Sequence, residues 1–247
     1  MTDQTPTPRG VRPLSTVIKT LALLDVLAQA RGALRLADVV RLAGGERATV
    51  YQRLITLKEA GFVEQLADGS FRLSLHTAWI AHAALEQANL GTRTIPIMQK
   101  LVYAVHETAS LAVLEGDEAR IVQRVESEGV LRADMKVGAS LSLDNSATGR
   151  IFAAFAPPEK LSHWRSRGVP LPDTAMLDKV RRENYAEKGD RMEGIGAIAA
   201  GVFDRGQRCI AALSLVGPDK RFDAEACRAP LLKAAAEITA MISGPAN

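Results

Sequence analysis

The chain has 247 residues, 47% of them hydrophobic and 24% charged, with a formal net charge of +3. That length holds one large or two ordinary cored domains, and the composition is that of an ordinary soluble globular protein whose expected compartment is the cytoplasm. No apolar run approaches the roughly 20 residues a bilayer span needs, and Cys209 and Cys227, eighteen apart and in no CxxC or Cys/His arrangement, argue against a disulfide framework or a structural zinc.

Residues 1–13 are polar and proline-rich, without the apolar core of a targeting signal, and read as a disordered arm. A first helix is expected to start at Ser15 or Thr16, either of which can cap a first turn. Its apolar stripe would be Val17, Leu21, Leu24 and Ala28, widened by Ile18 and Leu27. A second helix over residues 36–43 would bury Leu36, Val39, Val40 and Leu42 and stop at Gly44-Gly45. A third, over residues 47–60, places Val50, Leu54 and Leu57 on one face and ends at Gly61.

Two strands around Asp68-Gly69 follow. With that dipeptide as a two-residue type I′ turn, Leu66 faces Phe71, Glu64 faces Leu73 and Phe62 faces Leu75. One face is then apolar, and Ser70 and Arg72 lie on the other, near the tip. Helix, tight turn, helix and hairpin form a winged helix-turn-helix over residues 14–75, a module that lays its last helix in the DNA major groove.

Charge agrees with that reading. Residues 1–75 hold ten Lys/Arg against seven Asp/Glu, and residues 76–247 hold twenty-one of each. On the third helix Arg47, Thr49, Tyr51, Gln52, Arg53 and Lys58 lie off the apolar face. Arg and Gln carry donors for base edges, and Thr and Tyr hydroxyls suit phosphates. The expected DNA contacts are Arg47, Thr49, Tyr51, Gln52 and Arg53, with Ser70 and Arg72 from the wing.

Residues 76–92 are Ala-rich and helical, with Trp79, Ile80, Ala83 and Ala84 to one side and a break at Gly91. Residues 93–247 change pattern. A helix over 95–107 precedes strands at 110–114, 119–125 and 130–136. A Gly- and Ser-rich stretch then leads into a helix beginning near Ala147. Strands at 195–203 and 208–216 and a helix over 224–242 complete an α+β domain of helices flanking an antiparallel sheet.

The stretch Ala48-Thr49-Val50-Tyr51-Gln52-Arg53-Leu54 resembles the recognition helix of IclR-type bacterial transcriptional regulators. Ala48 and Gln52 stand where that family usually has Ser and Arg. The resemblance continues through Ser146-Ala147-Thr148-Gly149-Arg150, the strand from Gly194 to Asp204, and that from Ala211 to Pro218. It implies a linker helix at residues 76–92 and a GAF/PAS-like effector-binding domain at residues 93–247. It also implies a homodimer or homotetramer on a pseudo-palindromic operator, acting as repressor or activator, and a pocket for a small organic or aromatic acid. Position by position that pocket takes Leu141, Ala147, Thr148, Ala197 and Ser214, together with Val130. Ser146 adds a hydroxyl donor beside the free amides of a helix start, where a carboxylate fits, and Glu187 adds an acidic loop residue.

No metal or cofactor is expected. The four histidines have no metal-ligand spacing, and no GxSxG, phosphate loop or dinucleotide fingerprint occurs, which argues against an enzyme. Two other readings stay open: a winged helix that contacts protein, and a cysteine redox regulator.

Overall fold

The structure is a computed structural model that describes residues 12–128, 135–189 and 194–244. The chain divides into two compact units, Met1–Ala88 and Asn89–Asn247.

The first unit opens with α1 (Ser15–Gln29), α2 (Leu36–Ala43) and α3 (Arg47–Glu59). Neither Ser15 nor Thr16 caps α1; Leu14 holds that position, with no side-chain hydrogen bond. The buried stripe of α1 also differs from expectation. Leu23 and Leu27 enter the core, whereas Val17, Ile18 and Leu21 are exposed. Leu27 is buried and Leu24 packs against the core as expected, but both faces of this helix carry aliphatic residues, and periodicity alone did not exclude Val17, Ile18 and Leu21. In α2 Val39 is fully buried, but Leu42 is exposed. Gly44 and Gly45 both take positive φ, 70° and 97°, which is why the chain turns there.

Val50, Leu54 and Leu57 of α3 are buried as spaced. Its end is a Schellman motif: the Phe62 amide donates to the Leu57 carbonyl and the Gly61 amide to that of Lys58. Gly61 supplies the left-handed φ of 81°.

The hairpin pairs β1 (Val63–Gln65) with β2 (Phe71–Leu73) one residue out of the expected register: Val63 faces Leu73, Glu64 faces Arg72 and Gln65 faces Phe71. The loop has three residues, 67–69. The Leu66 amide donates to the Ser70 carbonyl at 2.8 Å, the Gly69 amide donates back to Leu66, and Gly69 sits at φ 82°. This is the turn-plus-glycine loop, which an Asp-Gly pair also closes. A one-residue slip exchanges the faces. Val63 is therefore buried beside Phe71 and Phe62 is only half-buried, while Leu75 lies beyond the hairpin, exposed at the start of the next helix. Leu34 bridges to Phe71 as a one-residue third strand. The core of this unit is Leu23, Leu27, Val39, Val50, Leu54, Leu57, Val63 and Phe71.

Helix α4 (Leu75–Gln87) buries none of its residues. Trp79 is 65% exposed and stacks on His76, whose ring meets Phe62 edge-on.

The second unit begins with a 3-10 turn (Thr92–Thr94) and α5 (Ile95–Val105), followed by β3 (Thr108–Glu115) and β4 (Glu118–Val125). The strand expected at 130–136 falls largely outside the described residues, as does Val130; Met135 and Lys136 carry no strand. A short β5 (Ser140–Leu141) leads to α6 (Ala147–Phe155). Two helices absent from the sequence reading follow, α7 (Pro158–Ser166) and α8 (Thr174–Glu183), then a short edge strand β6 (Ala186–Glu187). The long hairpin β7 (Ile195–Phe203) and β8 (Cys209–Pro218) and the closing α9 (Ala224–Ser243) complete the unit.

These strands form one antiparallel sheet in the order β5-β4-β3-β8-β7-β6. Alternation sorts its residues. Ala112, Ala212, Ala199, Ala197 and Val216 share a core with Ile151, Phe152 and Ala147 of α6 and with Leu177 of α8. Their neighbours Leu111, Leu213, Leu215 and Ile198 are equally buried and point to the opposite face, on the side of α5 and α9. The α6 side is lined by Ala and Ser, so the helix comes in close. A Cβ on Gly149 would stand 2.0 Å from the Ser142 carbonyl oxygen.

Candidate functional sites

The α2–α3 turn and the wing leave one side of α3 open. On it Arg47 and Gln52 are exposed, Tyr51 is 44% exposed and leans edge-on against Phe71, and Thr49 is half-buried. Arg53 is turned toward α1. It borders both a cleft of about 590 Å³, shared with Lys19, Gly45 and Thr49, and an apolar groove of about 500 Å³, shared with Val17, Leu21 and Phe62. Its Nε is buried and has no hydrogen-bond partner among the described residues.

On the wing Arg72 is exposed and paired with Glu64 across the strands. Ser70 departs from the tip position expected for it. It is 3% exposed, and its hydroxyl donates to Asp68 at 2.6 Å. The Ser70 amide donates to the same carboxylate, and these two bonds hold Asp68 below the usual carboxylate range. The slipped register draws Ser70 into the turn and leaves Arg72 as the outward basic residue.

In the second unit the start of α6 organises the candidate pocket. Ser146 is its cap: its Oγ accepts from the Gly149 amide at 2.8 Å and donates to the Ser142 carbonyl at 2.7 Å. Its proton is therefore committed to the fold, contrary to the donor role expected of it. Ala147 and Thr148 are 2% and 3% exposed, and among the described residues their amides have no acceptor. Those amides and the helix dipole give this end a partial positive charge.

Arg150, one turn on, ties the start of α6 to the sheet edge. Its Nε donates to the Asp144 carbonyl at 2.7 Å and its Nη1 to that of Glu187 at 3.1 Å. The Gly189 amide donates to Asn145, and that of Lys188 to Ala197. The amino end of α6 thus lies at the Ala197 end of β7. Glu187 is exposed on β6 and accepts the Tyr185 hydroxyl at 3.1 Å, and burial together with that carboxylate raises the phenol's pKa. Leu141 and Ala197 are buried at 7% and 9%.

Strand pairing adds residues the sequence reading did not single out. Ser214 lies opposite Ser110 on β3 and Ala199 on β7, and Ser110 lies opposite Arg124 on β4. Arg124, Ser110, Ser214 and Ala199 thus form one row across four strands, on the face that α6 covers. Ser214 donates to the Ser110 carbonyl at 3.3 Å, while Ser110 Oγ, on a residue 1% exposed, has no partner among the described residues. The alternation in residues 108–115 is the only sequence signal that turns Ser110 inward.

Elsewhere the chemistry is quiet. Among the described residues no group of His, Cys, Asp and Glu is placed to hold a metal, and no helix is long and apolar enough to cross a membrane. Both cysteines are free thiols, and burial pushes that of Cys209 up to about 12. A thiol so protonated is a poor nucleophile, which weighs against the redox reading.

A winged helix followed by an α+β sheet domain is the plan of a DNA-binding transcriptional regulator, a class of protein that is not enzymatic. The model of the IclR helix-turn-helix domain matches residues 16–67, and that of the bacterial transcriptional regulator IclR C-terminal domain matches residues 82–243. The chain belongs to the IclR family of bacterial transcriptional regulators.

Among its relatives, the transcriptional repressor IclR of Escherichia coli (strain K12) is 26% identical, over 94% of this chain and 91% of that protein. The DNA-binding transcriptional repressor YiaJ of the same organism is 30% identical, over 76% of this chain and 73% of that one. An IclR homolog from Microbacterium hydrocarbonoxydans, solved in complex with 4-hydroxybenzoate, shares the fold with a TM-score of 0.78 at 23% identity. The match covers 92% of this chain and 98% of that one.

Proposed function

We propose that the protein is a one-component switch in which residues 14–75 read a pseudo-palindromic operator and residues 93–247 bind a small organic or aromatic acid. Residues 76–92 link the two, and two or four chains act together. The observation that carries the effector half is the convergence of polar groups at one end of the sheet. The α6 start at Ala147-Thr148 and the Ser110–Ser214 row occupy the same face of an otherwise apolar domain. The homolog that holds 4-hydroxybenzoate has the same fold, and this supports a carboxylate as the recognised group.

On the DNA side Arg47, Tyr51, Gln52 and Arg72 are the exposed set, and Thr49 and Arg53 flank them. The test is fluorescence anisotropy with a fragment of the chain's own upstream region. Affinity should fall by orders of magnitude between about 50 and 200 mM salt, and addition of the cognate acid should shift it. Flat salt dependence would favour the protein-contact reading of the winged helix. Salt-dependent binding that no acid alters would remove the effector half.

A further inference from the structure

Within the acid-effector reading proposed above, on which this inference rests, the buried amides of Ala147 and Thr148 supply one set of donors. A second group faces the same layer from the sheet. Ser110 shares the alternation of β3 with Ala112, which packs in the core beneath α6, so its side chain projects to that side. The residue is 1% exposed, and its Oγ has no hydrogen-bond partner among the described residues. A buried hydroxyl left in that state costs free energy that a ligand oxygen would recover.

The packing brings this hydroxyl and the α6 amides to one layer. Ala147 shares its core with Ala197 and Val216, and Val216 pairs with Thr108, two residues before Ser110. Helix α6 rests on β7 and β8 and reaches across to β4, whereas β3, which runs between β4 and β8, has less contact with it than either. The side chains around Ser110 on the sheet are short: Ser214 opposite, Ala199 beyond it and Ala112 two residues on. The other polar groups here are committed. Ser214 donates to the Ser110 carbonyl at 3.3 Å, Ser146 donates to Ser142 as the α6 cap, and Thr108 accepts the Ser127 amide at 3.2 Å. Arg124, across from Ser110 on β4, is ion-paired with Glu126. Among the described residues no other serine or threonine hydroxyl is buried without a partner.

We infer that Ser110 is a specificity-determining residue of the effector site: the carboxylate seats on the Ala147-Thr148 amides, and the Ser110 hydroxyl pairs with a second oxygen of the same molecule. The effector is then a hydroxy- or oxo-acid. An acid of the same size without that oxygen leaves Ser110 unpartnered in the complex. A site built to bond an oxygen rejects such an analogue more strongly than an apolar site rejects a missing methylene.

Isothermal titration of the full chain with matched acids tests this: acetate beside glycolate, propionate beside lactate and pyruvate, benzoate beside 3- and 4-hydroxybenzoate. At least one oxygenated acid should bind the wild type about tenfold or more tightly than its plain partner. In Ser110→Ala that advantage should shrink to about threefold or less, through weaker binding of the oxygenated acid with the plain acid unchanged. Without ligand, Ser110→Ala should melt at or above the wild-type temperature, because the change removes a hydroxyl that bonds nothing, and its operator affinity should equal that of the wild type. A variant that melts well below the wild type, or does not fold, assigns the hydroxyl to the fold and overturns the inference. An oxygenated acid whose advantage survives in Ser110→Ala also overturns it, as does a wild type that binds both members of every pair alike; the acid-effector reading stands in both cases. No binding to the wild type across the panel overturns both.

Discussion

Substituting Gly149 by Ala sets two effects of opposite sign against each other. In an ordinary helix interior the change stabilises by about 1 kcal/mol, because glycine loses the most backbone freedom on folding. Here the added Cβ falls 2.0 Å from the Ser142 carbonyl oxygen and 2.7 Å from the Leu143 Cα. A comfortable carbon–oxygen contact is about 3.3 Å, so α6 and the preceding loop must part by on the order of 1 Å, backbone against backbone. The Ser142 carbonyl also accepts the Ser146 hydroxyl and amide, so the same displacement loosens the α6 cap. Overpacking of this kind costs about 1–3 kcal/mol and cap loss about 1 kcal/mol more, which together outweigh the propensity gain. The net expectation is a loss of about 2 kcal/mol, or about 4–8 °C in Tm for a unit of this size. Scanning calorimetry of Gly149→Ala against wild type measures it. Gly32→Ala is the control, since a Cβ there meets nothing within 4 Å. A Gly149→Ala protein that melts at or above the wild-type temperature refutes the reasoning.

Phe71 is 1% exposed and joins the wing to α3 through Tyr51 and to Leu34 through its backbone. Phe71→Ala should cost about 3–5 kcal/mol and remove operator binding, with urea unfolding of the first unit as the readout. The Asp68 carboxylate is held below its ordinary range by Ser70, so its support for the turn is complete above the unfolded carboxylate value and fades as pH falls through the folded one. The stability difference between wild type and Asp68→Ala should accordingly be largest near neutral pH and vanish in acid, where a constant difference would disprove the linkage. Arg47→Ala should weaken operator binding uniformly and lower the salt slope by about 1, whereas Gln52→Ala should relax discrimination at one base pair with the slope unchanged. Anisotropy across a salt series and a set of mutated operators separates the two, and identical behaviour of the variants would refute the division of roles.

What could be read from the residues alone follows how local each signal is. The bounds of α2 and the end of α3 are legible because Gly44 and Gly61 take backbone angles that other residues resist. The hairpin is legible as a hairpin, but its register is not: Asp68-Gly69 closes a two- or a three-residue loop equally well, and only the packing of Val63 and Phe71 decides. The α1 stripe is legible only in part, at Leu24 and Leu27, for a related reason, since both of its faces carry aliphatic side chains. Helices α7 and α8 announce themselves only at their starts, by Pro158 and by the Asp173 cap on Met176, because their buried residues are few: Leu161 and Trp164, Leu177 and Val180. The α6 start is visible as Ser146 followed by Gly149. The Ser110–Ser214 row is not, because the two serines are far apart in the chain until β3 and β8 align them.

That late assembly bears on how a ligand gains leverage over DNA. An effector shifts an equilibrium between two arrangements only by its difference in affinity for them. A tenfold change in operator affinity requires about 1.4 kcal/mol of such difference, and a hydrogen bond to a charged group is worth about 1.5–3 kcal/mol. A single such contact made in one arrangement and broken in the other therefore suffices. The start of α6 is joined through Arg150 to Asp144 and Glu187, and through Asn145 to Gly189, so it moves with the β6 edge, while β4 lies on the far side of the sheet's centre. An effector that touched both α6 and β4 would span the two halves of the sheet. A displacement of α6 relative to β4 would stretch one of its contacts, and the free energy of that contact would be available to the switch.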